Sequence, residues 1–217
     1  MLVAPVSYQP VTANEVFNHF ATICENTELP VIVYDNPATT HFTFDIELYA
    51  RLSELPGIKS IKIPPGFVAG ENPSASIAAL KAEISDDVSI GISGDGAAAC
   101  GLVAGCDAWY SAIAGTFPHL AEEIYDAARS QRPEIALQVS SKYQPLWDLF
   151  AACGGSARAI AAIAELKGLV DSPCLPEPLL SLSNYLQQRI NEVMRLIHKG
   201  SKAAKNISLR TTENTRK

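Results

Sequence analysis

Short runs of β-branched and aliphatic residues alternate along the chain with longer amphipathic segments, a rhythm that predicts βα units and a parallel sheet. Leu2–Ala4 is a clipped apolar run ended by Pro5. Thr12 with Glu15 three residues later forms a capping-box pair, opening a helix that carries Val16, Phe17, Phe20 and Ile23. Pro30–Asp35 (PVIVYD) reads as a buried strand that breaks at Asn36 and Pro37 into a polar loop, with a helix from Asp45 to Leu55. Ile58–Ile63 (IKSIKI) is the next strand, stopped by Pro64, Pro65 and Gly66, and a helix over Ser74–Ile84 follows it. Strand Val88–Ser93 then runs into the turn Ser93–Gly96 and an Ala-rich helix to Ala104. Ala108–Ile113 is the fifth strand, and Pro118 falls in the first turn of a helix to Ser130.

Beyond residue 130 the strands stop. Pro133–Ala152, Ser156–Leu166 and Pro178–Ile197 all read as helices, interrupted by Gly154 with Gly155 and by the stretch from Pro173. The expected organisation is a βα region over 1–130, a helical extension over 131–198 and a basic, solvated tail over 199–217.

Tyr34 and Lys62 each lie near the end of an otherwise apolar strand and each precedes a proline-containing loop, the end at which βα folds gather reactive groups. Alternation puts Ser60 and Lys62 on one face and Lys59, Ile61 and Ile63 on the other. With the isoleucines turned to the helix layer, Lys62 points inward and Lys59 is left to the surface. Val31 and Val33 likewise oppose Ile32 and Tyr34, so a phenol and an amine approach each other across adjacent strands. An inward lysine is tolerated when it is paired, Asp95 being the nearest candidate, or when burial holds it neutral. The neutral amine is the form that attacks a ketone carbonyl, and the residues alone leave both readings open.

Composition narrows the classes. With 217 residues, 47% hydrophobic and 18% charged, the chain reads as a globular domain rather than a disordered, collagenous or coiled-coil one. No uncharged apolar run reaches the ~18–20 residues of a bilayer span, and the first residues lack a signal-peptide pattern, so a cytoplasmic protein without a membrane partner is expected. The net charge of −6 resolves into +5 on 199–217 and −11 on the remainder. An acidic body argues against nucleic acid as a partner. Five cysteines (Cys24, Cys100, Cys106, Cys153 and Cys174) without a CxxC pair, and four scattered histidines, suggest neither a disulfide framework nor a metal site. The turn Ser93–Gly96 lacks the Gly-Lys-Ser/Thr of a P-loop, and His41 reads as a solvent-facing loop residue.

Read in chain order, VIVYDNP (31–37), GIKSIK (57–62), ISGDG (92–96) and GCDAWYS (105–111) resemble the family of dihydrodipicolinate synthase and N-acetylneuraminate lyase over residues 1–198. The resemblance implies an α/β fold, a partial TIM (β/α)8 barrel of about the last five βα units followed by a C-terminal helical extension. It implies that Lys62 forms a Schiff base with a 2-oxo acid and that Tyr34 shuttles protons, with no cofactor beyond that covalent imine. It places Gly94 in the turn that closes the site, and Tyr110 where a backbone carbonyl faces the lysine or substrate. The departures matter too. Thr39 stands where the synthases have an arginine that grips a carboxylate, and Ile63–Gly66 lacks the threonine of the neuraminate lyases. Ser7, or Tyr8 after a one-residue shift, takes the place of a tyrosine lent across a homo-oligomer interface.

The match starts at the family's fourth strand, so an N-terminally truncated member is expected. It would lack the Gly-Thr-Thr-type loop that binds the substrate carboxylate and the threonine partner of Tyr34, and it would expose two sheet edges that invite association. The leading expectation is a Schiff-base aldolase or lyase acting on pyruvate or a related 2-oxo acid, with a dehydratase using the same imine as a close variant. The alternative is an inactive remnant that associates with full-length homologues.

Overall fold

The computed structural model describes residues 1–130 and 132–197, so the basic tail over 199–217 lies outside the described residues. Five strands form one parallel sheet in chain order: β1 (Leu2–Val3), β2 (Val31–Tyr34), β3 (Ile58–Ile63), β4 (Ser89–Ser93) and β5 (Ala108–Tyr110). The helices between them are α1 (Ala13–Glu25), α2 (Pro37–Thr40), α3 (Ile46–Ser53), α4 (Pro73–Glu83) and α5 (Ala98–Ala104). After the sheet come α6 (Pro118–Arg129), α7 (Pro133–Lys142), α8 (Gln144–Ala152) and α9 (Ser156–Leu166), then a helix over 184–197.

Local chemistry accounts for the helix starts. The Thr12 backbone N–H and hydroxyl donate to the Glu15 carboxylate at 2.7 and 2.8 Å, and the Glu15 N–H returns to the Thr12 hydroxyl, so the expected capping box opens α1. Asp45 caps α3 by accepting the Leu48 N–H at 2.7 Å. The loop expected after Asn36 holds a single helical turn, α2, with Pro37 in its first turn and His41 ending it in the left-handed region at φ 56°.

One face of the sheet is the core. Val31, Val33, Ile61, Ile63, Ile90 and Ile92 are fully buried against Val16, Phe20, Leu48, Leu52, Ile77 and Leu80 from α1, α3 and α4. Strict alternation would turn Ile58 to the opposite face, yet Ile58 is 1% exposed in this same core. The register explains it: Val31 mates with Ile58 and Ile32 with Ser60, so the ladder skips Lys59. This β-bulge absorbs one residue, leaves Lys59 exposed and still sets Ser60 and Lys62 on the inner face.

Three other expectations shift for identifiable reasons. The fifth strand stops at Tyr110 instead of Ile113, because Tyr110 mates with Ser93 and the chain leaves β4 at Gly94, where φ is 81°. The long helix expected over 133–152 is two helices, since Pro145 has no N–H for the next intrahelical bond and restarts the chain as the first turn of α8. The last helix begins at 184, six residues after Pro178, with the Ser183 carbonyl accepting the Gln187 N–H at 2.9 Å.

The chain divides into two compact units, one of Met1–Ser111 with His119–Gln138, the other of Ala112–Pro118 with the residues from Val139 onward. The second has its own core, in which the Trp147 ring lies between Tyr143 and Phe150 and its indole N–H donates to the Ser140 carbonyl at 3.0 Å. Among the described residues no single helix is long and apolar enough to cross a membrane.

The bulge separates two neighbouring positions energetically. In urea titrations Ile61→Ala should lower the unfolding free energy by about 2–5 kcal/mol, while Lys59→Ala should stay within about 0.5 kcal/mol of the parent.

Candidate active site

Strand register assembles the site. Tyr34 of β2 mates with Lys62 of β3, and Lys62 with Gly91 of β4, so the three occupy one level of the inner face. The Lys62 Nζ lies 4.2 Å from the centre of the Tyr34 ring and 5.6 Å from that of Tyr110. Both distances fall within the reach of a cation–π contact. Lys62 is half-buried, and among the described residues its amine makes no hydrogen bond or ion pair. Burial pulls its ammonium below the usual lysine range, and the negative charge of Asp95 works against that. Pairing with Asp95, one of the two readings open from sequence, is therefore not what the fold does: buried Asp95 accepts the Ser111 hydroxyl at 3.0 Å.

The two aromatic rings are fixed from different directions. The Tyr34 phenol oxygen accepts the Asn36 side-chain amide at 2.8 Å. Tyr110 reaches from β5 across Gly91, and its hydroxyl donates to Ser60 Oγ at 2.7 Å, which in turn donates to the Ser89 carbonyl at 3.0 Å. Gly91 is required for this crossing. A Cβ there would sit 2.2 Å from Cε2 of Tyr110.

Gly94 opens the turn after β4 with φ 81°, in the range that favours glycine, and a Cβ there would lie 2.7 Å from Pro65 Cγ. The turn thus rests on the loop that follows Lys62. Thr39 is exposed on α2, and Ser7 and Tyr8 are exposed between β1 and α1, Tyr8 at 98%. No hydrogen bond, ion pair or ring contact among the described residues links these three to Lys62 or Tyr34. His41 is exposed, as read from sequence.

Behind the inner face lies a buried polar pair. The Asp35 N–H donates to the Lys62 carbonyl at 3.1 Å, tying the end of β2 to β3. Its side chain is 1% exposed. One carboxylate oxygen accepts the Tyr49 hydroxyl, and the other has no partner among the described residues. Burial pushes the carboxyl up to about 6, with the Tyr49 hydrogen bond opposing the rise. Tyr49 is itself locked, its ring stacked on Phe44 at 5.3 Å.

Other nucleophiles are less suited. Lys81 is tied to Asp107 at 2.6 Å near the opposite ends of the strands, beside a 400 Å³ cavity lined by Ser85, Asp86 and Asp87. Burial pushes the Cys106 thiol up to about 12, which leaves little thiolate.

Asn36, Ser60, Gly91, the Asp35–Tyr49 pair and the side chain of Tyr110 were not singled out as site residues from sequence. Gly91 was the legible signal, since a glycine inside a strand marks close approach by another group.

A parallel sheet with helices on one face and a half-buried lysine beside a tyrosine at its strand ends defines a segment of a (β/α) barrel. The chain belongs to the dihydrodipicolinate synthetase family, whose pattern matches residues 1–197. It is 29% identical over 192 residues to a 4-hydroxy-tetrahydrodipicolinate synthase of Sulfurihydrogenibium, covering 87% of this chain and 62% of that one. A DapA-like lyase of Thermofilum pendens is 27% identical, covering 89% and 64%. The crystal structure of a dihydrodipicolinate synthase from Agrobacterium tumefaciens aligns with TM-score 0.83 and 40% identity over 90% of this chain and 64% of that one. A dihydrodipicolinate synthase from Acinetobacter baumannii, solved complexed with pyruvate, aligns with TM-score 0.75 and 24% identity over 90% and 64%. The chain thus spans somewhat less than two thirds of these relatives, and its sheet is part of a (β/α)8 barrel.

The Asp35 carboxyl gives a pH signature. Its folded value near 6 lies above the ~3.9 of an unfolded aspartate, so its proton is held more tightly in the folded chain. The stabilisation is complete below about pH 4 and is lost as pH rises through 6. The stability of the parent relative to Asp35→Asn should fall by about 2–3 kcal/mol between pH 4 and pH 7. Denaturant titrations at the two pH values measure it, and an unchanged difference would contradict the assignment.

Proposed function

We propose that this chain carries the imine-forming centre of a class I aldolase or lyase, with Lys62 as nucleophile toward pyruvate or a related 2-oxo acid. The observation that supports it most is the unpaired, half-buried Lys62 amine standing over the Tyr34 ring at a strand end. Burial raises the fraction of neutral amine, the species that adds to a ketone. Addition gives a carbinolamine. With one proton taken up, loss of water leaves a protonated imine joined to Lys62. That cation accepts the electron pair of an adjacent carbon–carbon bond when the bond breaks, and returns it when one forms. The Tyr34 hydroxyl, its oxygen bonded to Asn36 and its proton without an acceptor among the described residues, is the group placed to move protons at the carbinolamine oxygen. The pyruvate complex of the Acinetobacter relative supports the choice of ligand. A hydro-lyase step through the same imine is the close variant, and the exposed Thr39 provides no cation for a second carboxylate.

A second reading has its own observation. β1 is a two-residue edge strand with Leu2 48% exposed, a surface that would suit association with a homologous barrel chain without catalysis.

Borohydride reduction in the presence of pyruvate separates the two. The expected result is a covalent adduct mapping to Lys62, absent in Lys62→Arg and formed about 10²–10⁴-fold more slowly in Tyr34→Phe. A folded chain that gives no adduct would leave only the association reading.

A further inference from the structure

The family resemblance gives Tyr110 a role through its backbone alone, yet its side chain occupies more of the site than its main chain does. The ring crosses the whole width of β4, lies in the recess that Gly91 leaves, and ends with its hydroxyl 2.7 Å from Ser60, two residues before Lys62 on the same strand. Ser60 is buried and passes the bond on to the Ser89 carbonyl. The recess, the hydroxyl anchor and the second hydrogen bond together hold the ring in place. The ring so held has its centre 5.6 Å from the Lys62 Nζ, which also lies over the Tyr34 ring, 4.2 Å from its centre.

We propose that the Tyr110 side chain is a positioning residue for Lys62, completing with Tyr34 a two-ring clamp that favours the cationic forms of the lysine nitrogen. Those forms are the resting ammonium and, on the aldolase reading on which this proposal rests, the protonated imine. Overall, the resting ammonium and a ketone give one protonated imine and one water, so the nitrogen is cationic in the resting and product states and neutral only as the attacking amine. A negative ring face on two sides stabilises it in both states and offsets part of the desolvation that burial imposes.

The titratable groups that face Lys62 are Tyr34 from β2, Asp95 after β4 and Tyr110 from β5, and the test isolates the last. The pH midpoint of Lys62 acetylation by acetic anhydride, with acetate as the leaving group, read by mass spectrometry at that residue, reports its ionisation without any 2-oxo acid. Tyr110→Phe keeps the ring and should hold the parent midpoint, whereas Tyr110→Leu should move it to lower pH. Pentafluorophenylalanine at position 110 keeps the ring's shape and reverses the charge of its face, so it should also move the midpoint down relative to Tyr110→Phe, even if the leucine variant fails to fold. An unchanged or raised midpoint with the fluorinated ring would overturn the proposal. Borohydride trapping of pyruvate by the parent chain tests the aldolase reading separately. If the parent traps no pyruvate, the aldolase reading fails while the acylation midpoints still decide the role of the ring.

Discussion

Tyr34, Lys62 and Gly91 are successive mates across three parallel strands, and that register decides which groups can meet on the inner face. A shift of one residue in β3 would turn Lys62 into the apolar layer and bring Ile61 or Ile63 to the mouth. The core prevents it, because Ile61 and Ile63 are fully buried with Val33 and Ile92. The bulge at Lys59 lets Ile58 join that core as well without moving the lysine. Packing on one face of the sheet thereby holds Tyr34 and Lys62 in place on the other.

The site is a balance of opposing terms. Withdrawal from water disfavours the Lys62 ammonium, while Asp95 and two aromatic faces favour it. Neither extreme would serve imine chemistry: a fully charged amine does not add to a ketone, and a site hostile to cations would not sustain a protonated imine. Asp35 shows the same tension in a harsher form. Its carboxyl is buried with one oxygen unpartnered, and the buried Tyr49 hydroxyl is the group that offsets the cost. Because its backbone N–H also holds the Lys62 carbonyl, the polar pair and β3 form one connected structure.

Much of this was legible in the residues. The five-fold βα rhythm, the capping box at Thr12 and the inward direction of Tyr34 and Lys62 follow from periodicity and local chemistry, and the fold bears them out. Less visible was anything that depends on two distant segments meeting. Nothing near Tyr110 announces that its hydroxyl will reach Ser60, fifty positions earlier, and only Gly91, on a strand between them, hints at the crossing. Asp35 reads as the end of a buried strand, and nothing beside it announces that its carboxylate will meet the Tyr49 hydroxyl fourteen positions on. The early end of β5 and the break before α8 show the same limit on a local scale: the first depends on where β4 stops, the second on one proline inside an otherwise helical pattern.

The Lys62 amine lies against the Tyr34 ring, and proton NMR reads that geometry directly. With lysine labelled at the ε carbon, and the Lys62 signal assigned by its loss in Lys62→Arg, its ε protons should appear upfield of those of the other lysines through the ring current of Tyr34. Replacing Tyr34 by leucine should return them toward the common position. If the Lys62 ε protons already overlap those of exposed Lys59 in the parent chain, the amine does not sit where the strand register places it, and the central claim is contradicted.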